Sequence, residues 1–141
     1  VAEYVYPIGP RTLVSEPADA GGGIGLNDLL YIGDGRFLSV ERQWASGVTG
    51  GEASRPVQMY EVGLEGADNI IDVDALTGDE AAVSKRLVLD FDDLLDRVER
   101  IGSHEAVVFG PVLEDGRRTL ILVEDNDFDR PTQVLAFAIN E

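Results

Sequence analysis

The stretch Asn27–Trp44, "NDLLYIGDGRFLSVERQW", reads as two apolar strands joined across Asp34-Gly35, and its echo later in the chain decides the fold. Asp-Gly readily takes the positive φ angles that a two-residue hairpin turn demands. The flanking runs "DLLYI" (28–32) and "RFLSVE" (36–41) are rich in the aliphatic and aromatic residues of half-buried strands. The stretch His104–Asp127, "HEAVVFGPVLEDGRRTLILVEDND", repeats the order of strand, Asp115-Gly116 and strand. A polar interval and a third strand follow in each case, "RPVQMYEVGLE" (55–65) and "RPTQVLAFAINE" (130–141). In this pattern Asp28 matches Glu105 and Val57 matches Val134, each pair 77 residues apart, while Glu41 and Glu124 are 83 apart.

The remaining strand-like runs are "EYVYPI" (3–8), "VQMYEV" (57–62), "KRLVLD" (85–90), "EAVVF" (105–109), "TLILVE" (119–124) and "QVLAFAI" (133–139). Only 90–101, "DFDDLLDRVERI", has helical spacing, with Leu94, Leu95, Val98 and Ile101 on one face and Asp90 or Asp92 placed to cap its start. The Gly/Ser-rich 45–55 reads as a mobile loop. The expected fold is therefore all-β, with one short helix near 91–101. Strand, hairpin, strand, loop, strand and a fourth strand make an antiparallel β-propeller blade of about 40 to 50 residues. The longer period implies insertions at 45–55 and 66–84, or two blades per period; an open meander or a sandwich is the alternative.

Composition bounds the chemistry. The 141 residues, 44% hydrophobic, suffice for one sizeable core. The chain starts at Val1, as a mature form or an excised piece of a precursor would. It has no apolar run near the roughly 20 residues of a membrane helix. A balance of 27 acidic against 11 basic residues, net −16, repels nucleic acid and anionic membranes. No cysteine is present, so thiolate nucleophiles and zinc fingers are excluded and any metal would have oxygen ligands.

"GGGIGLNDLLYIGDGRFLSVER" and "SHEAVVFGPVLEDGRRTLILVEDNDFDRPTQVLAFAI" together resemble the phytase-like family described as having esterase-like activity of phytase, and specifically the C-terminal part of its domain. Where that family typically reads I-E-G-L-A, this chain has His104-Glu105-Ala106-Val107-Val108, and where it reads S-D-N-N, this chain has Glu124-Asp125-Asn126-Asp127. The resemblance implies that residues 1–141 are two to three blades of a single β-propeller domain, partnered by the remaining blades or by self-association. It implies a secreted or periplasmic location, hydrolysis of phosphate or carboxylic esters, and calcium. A non-catalytic propeller module with structural calcium is the alternative.

The family pattern puts the first strand of each blade on the central channel, bringing Asp28 and Glu105 near its mouth. Converging carboxylates need a cation or protons between them, and hard oxygen donors favour calcium. Glu41 and Glu124, ending the second strands, join this set as expected ligands, as do Asp125 and Asp127; an ion pair of Glu41 with Arg42 or Arg55 is the other reading. Asp125, Asp127 and Asp129 start like an EF-hand, but Arg130 and Ala136 stand where Gly and Glu are required, so a solvated turn is the plainer reading. No Gly-x-Ser-x-Gly elbow is present. Ser103 and His104, neighbours on a strand, point to opposite faces, and His104 as a general base competes with an ordinary strand histidine. Arg42, Arg55 and Arg130 are candidate phosphate grips competing with surface ion pairs, and Trp44 is expected to plug the core rather than flank a pocket.

Overall fold

The computed structural model describes residues 1–48, 56–128 and 130–140, and these build two antiparallel sheets. Strands β1 (Gly22–Gly33), β2 (Arg36–Ala45), β3 (Val57–Gly63) and β4 (Ser84–Asp90) lie in chain order in the first sheet. Strands β5 (Ser103–Val112), β6 (Arg118–Asp125) and β7 (Val134–Ala138) do the same in the second. The all-β expectation holds, as two meanders rather than a closed ring.

Both Asp-Gly joints are turns. Gly33 pairs with Arg36, so Asp34 and Gly35 alone form the first loop, with φ of 50° and 66°. Positive φ at both central residues matches the right-handed twist of the strands, and here Gly and Asp are the tolerant residues. The second loop is longer: Val112 pairs with Arg118, and Gly116 at φ 88° lets its N–H reach Leu113 O.

The register shifts the correspondence between the two halves by one residue in the first strands and two in the third. Each first strand carries a bulge, at Asn27 between Leu26 and Asp28 and at Glu105 between His104 and Ala106. With Glu41 matched to Glu124, Asp28 faces Val40 as Ala106 faces Val123, so Asp28 corresponds to Ala106 and not to Glu105. In the third strands Met59, not Val57, corresponds to Val134. Each sheet then has a front face, carrying Glu41 or Glu124, and a back face. The back of the first sheet packs on the front of the second. Val40, Val57 and Met59 meet Val107, Leu120, Leu122 and Leu135 there, with Phe91 and Ile101 sealing the seam.

Two elements differ from expectation. Residues 3–8 form no strand; they belong to a strap, 3–15, laid across the front of the first sheet. Pro7 and Pro10 have no N–H to give to a ladder. The strap's backbone instead bonds loops, with Val83 N–H donating to Val5 O at 3.0 Å and Ile70 N–H to Glu3 O at 2.9 Å. The helix expected at 90–101 shrinks to a 3-10 turn, Phe91–Leu94. Asp90 does cap it, accepting from Asp92 N–H at 3.1 Å. The segment then turns to reach β5, burying Phe91 and Ile101 but leaving Leu95 exposed, because so short a helix gains more from the seam than from further turns. Of the loop expected at 45–55, residues 49–55 lie outside the described residues, as do Arg55 and Asp129.

Candidate functional site

Two buried carboxylates occupy the same position in the two sheets. On β2, Ser39, Glu41 and Gln43 alternate toward the front, where the strap covers them, and all three are buried. Glu41 accepts from the Tyr6 hydroxyl at 2.7 Å, from Gly9 N–H at 3.2 Å and from Lys85 Nζ. Lys85 also donates to Pro7 O at 2.8 Å and lies over the Tyr60 ring, 4.1 Å from its centroid. Gln43 Oε1 accepts from Thr12 N–H at 2.7 Å and Leu13 N–H at 3.0 Å, pinning the strap's far end. Burial, with the Glu41 carboxylate beside it, pushes the Tyr6 phenol well above its ordinary value, so it stays a donor.

Glu124 is held similarly by the segment that leads into β5. Arg100 grips both oxygens at 2.6 Å, Arg130 lies 3.2 Å from Oε1, and Gln133 N–H donates to Oε2 at 2.8 Å. Desolvation raises the Glu124 carboxyl, but the Arg100 hydrogen bonds and the Gln133 amide outweigh it and hold the value at about 2. Gly102 makes room for this grip: a Cβ there would fall 1.9 Å from Glu124 Oε1. In each sheet the second-strand glutamate thus anchors the segment entering that sheet.

Asp28 and Glu105 work at the seam. Asp28 Oδ2 accepts from Val107 N–H of β5 at 2.8 Å, and its Oδ1 from Leu29 N–H at 2.8 Å. Glu105 pairs with Arg42 of β2 at 2.6 Å. Asp125 and Asp127 belong to a turn: Asp125 accepts from Asp127 N–H at 3.0 Å, Asn126 from Phe128 N–H at 3.1 Å, and Asp127 and Phe128 take positive φ. This is the solvated-turn reading.

The residues expected to bind an ion are therefore placed as separate anchors. Among the described residues no group of three or more His, Asp or Glu side chains is gathered closely enough to hold a metal ion. Glu41 is neutralised by Lys85 and Glu105 by Arg42, so neither fits a shared calcium as it stands. Asp28 and Asp125 accept backbone N–H groups and fit better. Arg42 and Arg130, candidate phosphate grips, hold Glu105 and Glu124. Trp44 is exposed and lies over Gly21 and, on the neighbouring strand, Gly23, so it does not plug the core.

His104 is fully buried, 5.6 Å from the Phe91 ring centroid. Its Nδ1 faces Gly102 O at 3.3 Å, which assigns the proton to Nδ1 and leaves Nε2 as a buried acceptor with no partner. Burial and the nearby Arg100 push its pKa below 6.5, against the pull of Gly102 O and Glu124. The unfolded chain then takes up a proton first as pH falls through 6.5, so stability is present above that value and declines below it until the folded-state value is passed. Urea midpoints should fall between pH 7.5 and 5 in the native chain, and His104→Phe should flatten that slope; an unchanged slope refutes the assignment. The Glu124 contribution lies in a separate window, lost from about 4.5 down to about 2.

Lys85, Tyr6 and Arg100, which hold the two glutamates, were not identified from sequence. Lys85 carried a signal: it is the one lysine beside ten arginines. The phytase-like family, described as having esterase-like activity of phytase, matches residues 1–128 of this chain. No curated protein and no solved structure matches it.

Proposed function

Because the chain belongs to the phytase-like family, we propose that it is part of a domain that hydrolyses phosphate or carboxylic esters outside the cytoplasm, secreted or periplasmic. The family match over residues 1–128 carries this reading. The architecture proposed with it is two neighbouring blades of a β-propeller, supported by the common bulge, hairpin and glutamate of the two sheets and by the back-to-front packing between them.

A second reading is a non-catalytic module that binds a small ester, a phosphate or a partner. One observation favours it: Glu41, Glu105, Glu124, Arg42, Arg130 and Lys85 all hold parts of the fold together. Calcium enters either reading as an ion of the complete domain, to which Asp28 and Asp125 would contribute, and no step of the reaction is routed through it. Release of p-nitrophenol from its phosphate and acetate esters separates the readings: turnover supports the hydrolase, and none at high enzyme concentration supports the module. Calcium is tested apart from activity. At about a hundred times its dissociation constant, a bound ion adds about 2.7 kcal/mol of stability, a rise in melting midpoint that Asp28→Ala should abolish. Coincident melting curves in calcium and chelator would remove calcium from the proposal.

A further inference from the structure

Arg11, at the far end of the strap, is a cation held in place with no counter-ion. Arg55 apart, the chain has ten basic residues, and eight of them pair with a carboxylate. Of the other two, Arg118 lies over the Phe109 ring at 3.8 Å. Arg11 bonds only neutral acceptors. Its Nε–H donates to Leu13 O at 2.8 Å and its Nη2 to Ser15 Oγ at 2.6 Å, and the buried Ser15 hydroxyl donates in turn to Gly21 O at 2.8 Å. The guanidinium lies on the bare backbone of Gly22, where a Cβ would fall 2.0 Å from Nη2 and 2.7 Å from Cζ. Glycine serves here to allow close approach. Three of the five N–H donors of Arg11, two on Nη1 and one on Nη2, have no partner among the described residues, and the residue is exposed.

We infer that Arg11 binds a phosphate group and, within the hydrolase reading on which this second part rests, selects phosphate esters over carboxylic esters. A fixed guanidinium with free donors fits a phosphate through paired N–H···O bonds. Holding it in advance removes rotamer entropy that binding would otherwise cost. A phosphate monoester brings negative charge to such a group, whereas the ester group of a carboxylic ester is neutral and gains far less. Arg42 and Arg130, expected as phosphate grips, are taken up by Glu105 and Glu124, and Arg55 lies outside the described residues. The net charge of −16 opposes anions at long range, but that field is screened beyond about 10 Å at 0.1 M salt, and contact with Arg11 is direct.

The full-length protein, labelled with nitrogen-15 in arginine and glycine, tests this by titration with inorganic phosphate against chloride at constant ionic strength. The Arg11 Nε–H and Gly22 amide signals should shift together and saturate; following these two separates Arg11 from any other phosphate site of the domain. Arg11→Gln should abolish the Gly22 shift. Gly22→Ala keeps the charge but pushes the guanidinium from its place, and should weaken binding roughly tenfold or more. Melting midpoints near the native value confirm that both variants fold. Acetate should bind more weakly than phosphate. A signal that does not saturate, an affinity unchanged in either variant, or acetate bound as tightly as phosphate overturns the inference. Against the p-nitrophenyl esters, Arg11→Gln should raise KM for the phosphate roughly tenfold more than for the acetate, and an equal rise overturns the selectivity. Turnover with no phosphate shift at Arg11 overturns the inference and leaves the hydrolase standing; a shift with no turnover upholds the binding and refutes the hydrolase.

Discussion

Replacing Arg100 with Met should cost the chain about 3–5 kcal/mol, because it leaves Glu124 as a buried charge with too little compensation. The Glu124 carboxylate is inaccessible, and Arg100 supplies both of its shortest contacts, at 2.6 Å. Arg130 and the Gln133 amide remain, which places the expected loss nearer the lower figure. For a chain of this size that is a fall on the order of 10 °C in melting midpoint. The decisive control is the double variant Arg100→Met, Glu124→Leu. Removing both charges should restore much of the loss, since an apolar pair of similar volume often replaces a buried ion pair without harm. If the single variant melts with the native chain, the ion pair is a surface contact and Glu124 is free for other chemistry.

Phe91→Ala should be about as damaging, again about 3–5 kcal/mol, but through a cavity rather than a charge. The Phe91 ring is fully buried and lies between the rings of His104 and Phe137, 5.6 and 6.5 Å away, so its loss empties the seam between the sheets. Leu95→Ala provides the comparison. On a helix over 90–101, Leu95 would share the apolar stripe with Leu94, Val98 and Ile101, and its truncation would cost as much as theirs. As placed, Leu95 is exposed and its loss should stay within about 0.5 kcal/mol. Chemical denaturation of the two variants, read at equal slope, distinguishes a buried turn from an amphipathic helix.

The strands and both hairpins were legible because their signals are local: alternating apolar residues, and an Asp-Gly pair at the turn. What escaped was set by contacts distant in the chain. Glu41 reads as a free carboxylate until Lys85 arrives from 44 residues away and Tyr6 from 35. Asp28 resembles Glu105 in type, yet Glu105 is the extra residue of its strand, as Asn27 is of the other, and a bulge leaves no mark in composition. The strap over 3–15 resembles a strand in residue type, yet it crosses a sheet face, where loop amides and side chains rather than a ladder satisfy its backbone. The six carboxylates expected as ligands, Asp28, Glu41, Glu105, Glu124, Asp125 and Asp127, stand out by type and repeat position. Neither property says whether a cation of the protein itself has already reached them.

The strap has a consequence for the order of events in folding. Each sheet is a meander, so its strands pair with neighbours in the chain and can zip early. The strap instead joins residues 6–13 to 39–43 and 85, and Lys85 reaches Pro7 across 78 positions. In a chain with the strap displaced, Glu41 is open to water and its desolvation cost is small. Only the arriving segment turns that glutamate into a buried ion, and it brings the hydroxyl and amide donors that neutralise the cost. Late closure is the expected order: substitution of the strap's anchors should raise the unfolding rate more than it lowers the folding rate, which the two arms of a chevron plot would show.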